Sequence, residues 1–287
     1  MAAVQPVLQS SSIERRHLPS YQLFVRDYLH PHRPLIITGA LEQWKAKEWT
    51  PEFFKETFSG KIVQIDGKKY TMAELIDLVV KSSEAHPAPY LRNAILKDFA
   101  PQLHADITPL PHYFSPNWIA GPMSQLLKDR LHEGSAELYI GGRGGKFPYL
   151  HFDACHTHAF LCQLYGTKEF TCYSADQTPH VYPRPDRYNV SQIPDIENAD
   201  HGKFPLFAKA TAMRFKLEPG EILFVPGGLW HTARILTPSI TVSVNRANAS
   251  NWSSVTRDVC ADTRAYLRPL MSTYMAALKI FRTLYGS

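Results

Sequence analysis

Three residues constrain this chain more than any others: His151 and Asp153, one residue apart, and His231, 80 positions beyond His151. The segments around both halves read as strand. Strand side chains alternate with period two, so the two side chains of a His-x-Asp pair leave the backbone on one face. For a distant histidine to complete a triangle with them, strands far apart in sequence must end as neighbours. Two imidazoles and one carboxylate on one side of a metal, with the opposite positions open, form the donor set of non-haem iron(II) oxygenases. His-x-Asp alone is a weak pattern in a chain with 13 histidines. Two polar residues on a solvated strand face would look the same.

The second half of the triangle strengthens the reading. The tract from Met213 to His231 runs strand, Pro219-Gly220 turn, strand, Gly227-Gly228 turn, with Trp230 and His231 opening another strand. Pro219-Gly220-Glu221, Phe224-Val225-Pro226, Trp230-His231, Gly166-Thr167-Lys168 and Phe204-Pro205 together form a specific signature. From about Arg33 to about Asn248 the chain resembles the JmjC-type (cupin-like) 2-oxoglutarate oxygenases, near the factor-inhibiting HIF-type hydroxylases. The resemblance implies a mainly β fold, a double-stranded β-helix or jelly-roll barrel, with a mixed N-terminal region and C-terminal helices.

Local patterns agree with that architecture. Hydrophobic residues make up 44% of the 287 and charged residues 20%, which excludes a disordered chain. Residues 1–130 are mixed α/β, expected to pack on the barrel. Helix-like segments fall at 18–29, 50–58 and 71–82, and Leu35-Ile36-Ile37-Thr38 reads as a short buried strand. Thr50-Pro51-Glu52 is a helix start with a cap, proline at the first position and an early acid. Thr71 to Glu74 fits a capping box. Residues 131–250, the expected catalytic core, are mostly strands punctuated by Gly and Pro. The stretch 173–210 reads as a long loop insertion, of the kind that is usually functional or mobile.

Partners and compartment are read more coarsely. No apolar run approaches the roughly 18 residues of a membrane span. The first residues, Met1 to Pro6, lack the basic and apolar blocks of a signal peptide. Four cysteines without CxxC spacing read as reduced thiols of a cytoplasmic protein. The net charge of +5 is scattered, so no nucleic-acid partner is inferred. A weakly acidic peptide substrate is compatible with such a surface.

The resemblance implies roles residue by residue. His151, Asp153 and His231 would hold Fe(II). Lys168 would form a salt bridge to the far carboxylate of 2-oxoglutarate, with the Tyr90 hydroxyl reaching the same group. On the strand Ser239 to Asn245, Ile240, Val242 and Val244 share one face; Thr241, Ser243 and Asn245 share the other. That polar row faces either solvent or the metal cavity, and the family's asparagine at Asn245 favours the cavity. The chain also departs from the family. Pro148 stands where a threonine is common, and no asparagine lies between Asp153 and Lys168. His156, Thr157 and His158 are the candidates to replace those contacts, with Thr157 the cofactor-binding choice. A second metal on His156 and His158 is a weak alternative.

The chemistry so implied is oxidation of a substrate C–H bond coupled to conversion of 2-oxoglutarate and dioxygen to succinate and carbon dioxide. An aspartate as acidic ligand leans the reading to a hydroxylase of a protein or peptide side chain. The alternatives are a small-molecule hydroxylase, an N-demethylase of the same chemistry, or a cupin metalloenzyme that does not use 2-oxoglutarate. Residues 251–287 form a C-terminal helical segment, read as two helices broken near Pro269, with an apolar stripe through Val255, Val259, Leu267, Leu270, Met271, Tyr274, Met275, Leu278, Phe281 and Leu284. The stripe packs either back on the barrel or, as the hydroxylase branch implies, across a homodimer axis.

Overall fold

The computed structural model describes residues 13–120, 127 and 135–285. The first residues, read above for a leader, and the boundary set at residue 130 lie outside these. The strands are β1 (Arg15–His17), β2 (Leu35–Thr38), β3 (Ile62–Ile65), β4 (Lys68–Thr71), β5 (Leu91–Ile95), β6 (Ala136–Gly141), β7 (His158–Tyr165), β8 (Lys168–Tyr173), β9 (Met213–Leu217), β10 (Ile222–Val225), β11 (Trp230–Ile235) and β12 (Ser239–Arg246). The α-helices are α1 (Tyr21–Phe24), α2 (Pro51–Phe58), α3 (Met72–Lys81), α4 (Leu96–Phe99), α5 (Trp252–Ala261) and α6 (Arg268–Tyr285).

Two sheets make the barrel. The larger has the order β1-β2-β10-β7-β12-β6-β5 and the smaller β11-β8-β9. Neighbours are antiparallel except for β1 and β2. This is the expected jelly roll. Strand alternation divides the larger sheet into two faces. Phe160, Cys162 and Leu164 of β7 and Ile240, Val242 and Val244 of β12 face the N-terminal helices, where they meet Phe24, Phe54, Leu75 and Val79. Ala159 and Leu161 of β7 turn the other way, onto Phe170, Cys172, Phe215 and Leu217 of the smaller sheet. The larger sheet is thus covered on both sides, and its second face is shared between core and cavity.

Local chemistry fixes the helix ends as read. Thr50 accepts from the Phe53 amide at 3.1 Å and caps α2. Thr71 and Glu74 exchange bonds of 3.2 and 2.8 Å in a complete capping box at α3. At the β7–β8 turn Gly166 has φ +68°, and a Cβ there would run into the Pro238 carbonyl oxygen. Glycine is required by both the backbone angle and the approach.

The C-terminal break lies over residues 262–267, just before Pro269, which sits in the first turn of α6. A proline there removes an amide that has no helical acceptor anyway. The apolar stripe divides. Val255, Val259, Met275 and Leu278 pack with Trp252, Trp118 and Ile119. Leu270, Ile280 and Leu284 are exposed. Among the described residues no helix is long and apolar enough to cross a membrane.

Phe160 joins the helical layer to the sheet, with ring contacts to Phe24, Phe114 and Phe224 at 6.2, 4.4 and 5.2 Å. Phe160→Ala is expected to cost about 3–5 kcal/mol of stability. Urea denaturation checks this as a lowered midpoint at unchanged slope.

Candidate metal centre

The two histidines of the triangle meet through their backbones. His151 lies in a single-residue bridge rather than in a strand, and its partner is His231 on the edge strand β11. The His151 amide donates to the His231 carbonyl at 3.1 Å, and the His231 amide returns a bond at 2.6 Å. Residues opposed in this way present their side chains on the same face. Their rings are 4.4 Å apart. Asp153 follows in extended conformation (φ −61°, ψ 138°) and leads into a tight turn at Ala154–His156. The strand expected around His-x-Asp is therefore only one bridge long, but the extended backbone keeps its consequence. The donor atoms of His151, Asp153 and His231 all lie within 4.8 Å of one another.

Burial disfavours the charged form of both His151 and Asp153. It holds the His151 imidazole well below its ordinary pKa, and His231 pushes in the same direction, so the ring is neutral. It also raises the Asp153 carboxyl, against the opposing pull of His231. The His231 Nδ1–H donates to the Leu229 carbonyl at 3.0 Å, which leaves Nε2 with a free lone pair. His151 Nδ1 and Asp153 Oδ2 are buried without a hydrogen-bond partner. Orphaned polar atoms are costly in a folded protein. Their convergence with two imidazoles and a carboxylate fits a divalent cation such as Fe(II). Phe147 stacks on the His151 ring at 4.4 Å and 12°, which restricts its rotation.

An inner pocket runs from the triad to Lys168. The Lys168 ammonium is buried, donates to the Tyr90 hydroxyl at 3.0 Å and lies between the rings of Tyr90 and Tyr139, 5.3 and 5.6 Å away. Burial lowers its pKa to about 7. The same burial pushes the Tyr90 phenol up, keeping it neutral. The polar row of β12 turns inward: Thr241, Ser243 and Asn245 line this pocket, and Asn245 Oδ1 is buried without a partner. Thr157 does not reach the inner pocket. It borders the outer chamber, and its hydroxyl donates to the Ala154 carbonyl at 3.2 Å.

Among the pocket residues that the sequence reading missed, Asn93, Glu137 and Tyr139 form a hydrogen-bonded group. Glu137 and Tyr139 on β6 stand opposite Ser243 and Thr241 of β12. Asn93 on β5 completes the group. Glu137 Oε2 accepts from Asn93 Nδ2 and from the Tyr139 hydroxyl, each at 2.9 Å. The signal was present in the alternation Glu137-Leu138-Tyr139-Ile140, which has the same period as β12. These residues supply pocket polarity where Pro148 and the missing asparagine supply none. The two other histidines read as candidates are occupied elsewhere. His156 Nδ1 bonds Asp258 at 2.5 Å, and His158 bonds Ser250 and the Gly227 amide at 2.8 and 2.9 Å. Among the described residues the triad is the one cluster with metal-ligand geometry.

Comparisons agree with this picture. A model of the cupin-like domain matches residues 21–249. Lysine-specific demethylase 8 of Xenopus tropicalis is 30% identical over 252 residues, covering 83% of this chain and 54% of the relative. JmjC domain-containing protein D of Dictyostelium discoideum is 28% identical, with 78% and 54% covered. Arginine-specific demethylase JMJ20 of Arabidopsis thaliana is 28% identical, with 88% and 60% covered. The chain thus spans little more than half the length of these curated relatives.

His151→Ala, Asp153→Ala and His231→Ala should each weaken Co(II) binding by more than about 100-fold, beyond the 10- to 100-fold typical of outer-shell losses. Titration followed by the visible absorption of bound Co(II) measures it. Near-normal affinity in Asp153→Ala would remove that carboxylate from the centre.

Proposed function

The chain belongs to the cupin-like domain family, in its JmjC-type group, and from that premise we propose that it is an Fe(II)- and 2-oxoglutarate-dependent oxygenase acting on a protein side chain. The observation that carries this reading is the pairing of two features in one pocket: a metal-ligand triad with unpartnered buried polar atoms, and a buried lysine at the far end. Bound there, iron(II) and 2-oxoglutarate supply the oxidation of a substrate C–H bond by dioxygen, with release of succinate and carbon dioxide. The chain's own residues bind, orient and exclude water.

Lys168 is the anchor for the distal carboxylate. Its ammonium has no carboxylate partner among the described residues, and its hydrogen bond to Tyr90 fixes its direction. An arriving carboxylate restores the charged form that burial disfavours, so binding takes up a proton at neutral pH. Tyr90 and Tyr139 close the end of the pocket with neutral hydroxyls. Phe147 shields the His151 side from solvent and keeps its ring in place.

The outer chamber supports a substrate with a basic head group. Glu137 is 4% exposed, is bonded only by neutral donors, and borders both the inner pocket and the outer chamber. Buried carboxylates are ordinarily paired with cations. Among the described residues none is paired with Glu137, and an ammonium or guanidinium entering the chamber would be. This favours a basic group over the acidic peptide that the surface charge alone allowed. The names of the lysine- and arginine-specific relatives support the same class. Asp153 as acidic ligand supports hydroxylation; those names support N-demethylation. Both begin with the same C–H oxidation. They differ in whether the oxidised carbon is bound to nitrogen and so departs as formaldehyde.

Succinate should form from 2-oxoglutarate with iron(II) and ascorbate even without substrate. A protein that binds iron and forms none would be a cupin metalloenzyme of another reaction. Mass spectrometry of basic peptides then separates the outcomes, since hydroxylation adds one oxygen and demethylation removes a methyl group. Lys168→Met should weaken 2-oxoglutarate binding roughly 10- to 100-fold at pH 6.5, as expected of a lost charge-assisted contact. The pH dependence follows from the depressed pKa. The ammonium is present below about 7 and lost above it, so wild-type affinity should fall as pH rises from 7 to 9. Calorimetry with Mn(II) in place of iron should show that fall in the wild type and a flatter profile in Lys168→Met.

A further inference from the structure

His156 and Asp258 lie outside the donor triangle, yet they govern the turn that carries its carboxylate. Beyond Asp153 and Ala154, Cys155 and His156 adopt φ of +55° and +50°. Two successive non-glycine residues in the left-handed region persist only where their surroundings hold them. Here the hold comes from α5. The Asp258 carboxylate accepts from His156 Nδ1 at 2.5 Å, and Asn251, the N-cap of the same helix, donates from Nδ2 to the His156 carbonyl at 2.9 Å. Asn251 and Asp258 are seven positions apart and therefore lie along one helical face. His156 Nε2 is met by Arg257 Nη2 at 3.4 Å, so both ring nitrogens are engaged and the ring is no ligand.

The same residue touches the other half of the triangle. The His156 carbonyl abuts Gly227, where a Cβ would collide with it. Gly227 begins the turn that delivers His231. Tyr188 stacks on the His156 ring at 6.3 Å and meets the Phe152 ring at 5.8 Å. Tyr188 precedes Asn189, whose side chain donates to the Phe152 carbonyl at 2.9 Å and whose own carbonyl accepts from the Phe152 amide at 3.1 Å. Burial would raise the Asp258 carboxyl, but the neighbouring His156, Tyr188 and Arg257 hold it below the usual range. One buried carboxylate on α5 thus holds the residue that ends the turn after Asp153, and that residue in turn packs on Tyr188, beside the bracket on Phe152.

We propose that Asp258 is a positioning residue for the metal centre: through His156 it fixes the turn after Asp153, and so couples α5 to the geometry of the acidic ligand. The proposal rests on the metal-binding part of the function assigned above. Co(II) binding tests it without turnover. Asp258→Ala should weaken Co(II) affinity about 10- to 100-fold and shift its visible absorption, while Asp258→Asn, which keeps an acceptor oxygen, should recover most of the affinity. Val255→Ala, which loosens α5 from its core side, should lower urea stability but bind Co(II) as the wild type does. If Asp258→Ala does not fold, His156→Ala carries the same expectation. Asp258→Ala or His156→Ala protein that binds Co(II) within about threefold of wild type with an unchanged spectrum overturns the proposal, as does an equal loss in Val255→Ala. A wild-type protein that gives no Co(II) spectrum overturns instead the assignment of the metal centre itself.

Discussion

The pair of backbone hydrogen bonds between His151 and His231 is the constraint on which the site depends. It joins residues far apart in the chain and sets two imidazoles side by side before any side chain contributes. Everything else in the centre is arranged around that bridge. The β8–β9–β11 sheet fixes one arm, the extended stretch through Asp153 sets the other, and Phe147 stacks against the first ring. Since the bridge is a single residue long, little regular structure supports it on the His151 side. The long insertion does that work instead: Val190 bridges His151 from its other edge, and Asn189 brackets Phe152. This gives the insertion a structural reason to be long.

The parts legible in the sequence are those governed by short-range rules. Strand alternation on β12, the capping box at Thr71, the Thr50 cap and the glycine turns each depend on a few neighbouring residues. The triad was legible because its spacing matched a known arrangement. The strand around His-x-Asp was not correctly read, because extended backbone can be held by one bridge and its flanks as well as by a ladder. Glu137 and Tyr139 were missed although they alternate with Leu138 and Ile140. Their inward direction depends on pairing with β12, which no local pattern states. The roles of His156 and His158 were equally closed to sequence. Their partners Asp258 and Ser250 lie more than 90 residues away.

The C-terminal helices show the same division. Periodicity found the stripe, and half of it lines the core with Trp118 and Trp252. The break lies near Pro269, as read, but just before it, because a proline signals a boundary without saying on which side of it the helix lies. In α6 it begins the helix, where its missing amide costs nothing.

The two faces of β12 have a consequence for folding fidelity. Ile240, Val242 and Val244 bury against the helices, and Thr241, Ser243 and Asn245 line the pocket. A slip of one residue would exchange the two sets, sending three polar groups into the dry layer and three aliphatic ones into the cavity. The wrong register therefore could not persist as a stable, inactive protein. The alternation that makes the pocket polar also proofreads the strand, so a chain that has folded has its pocket lining in place.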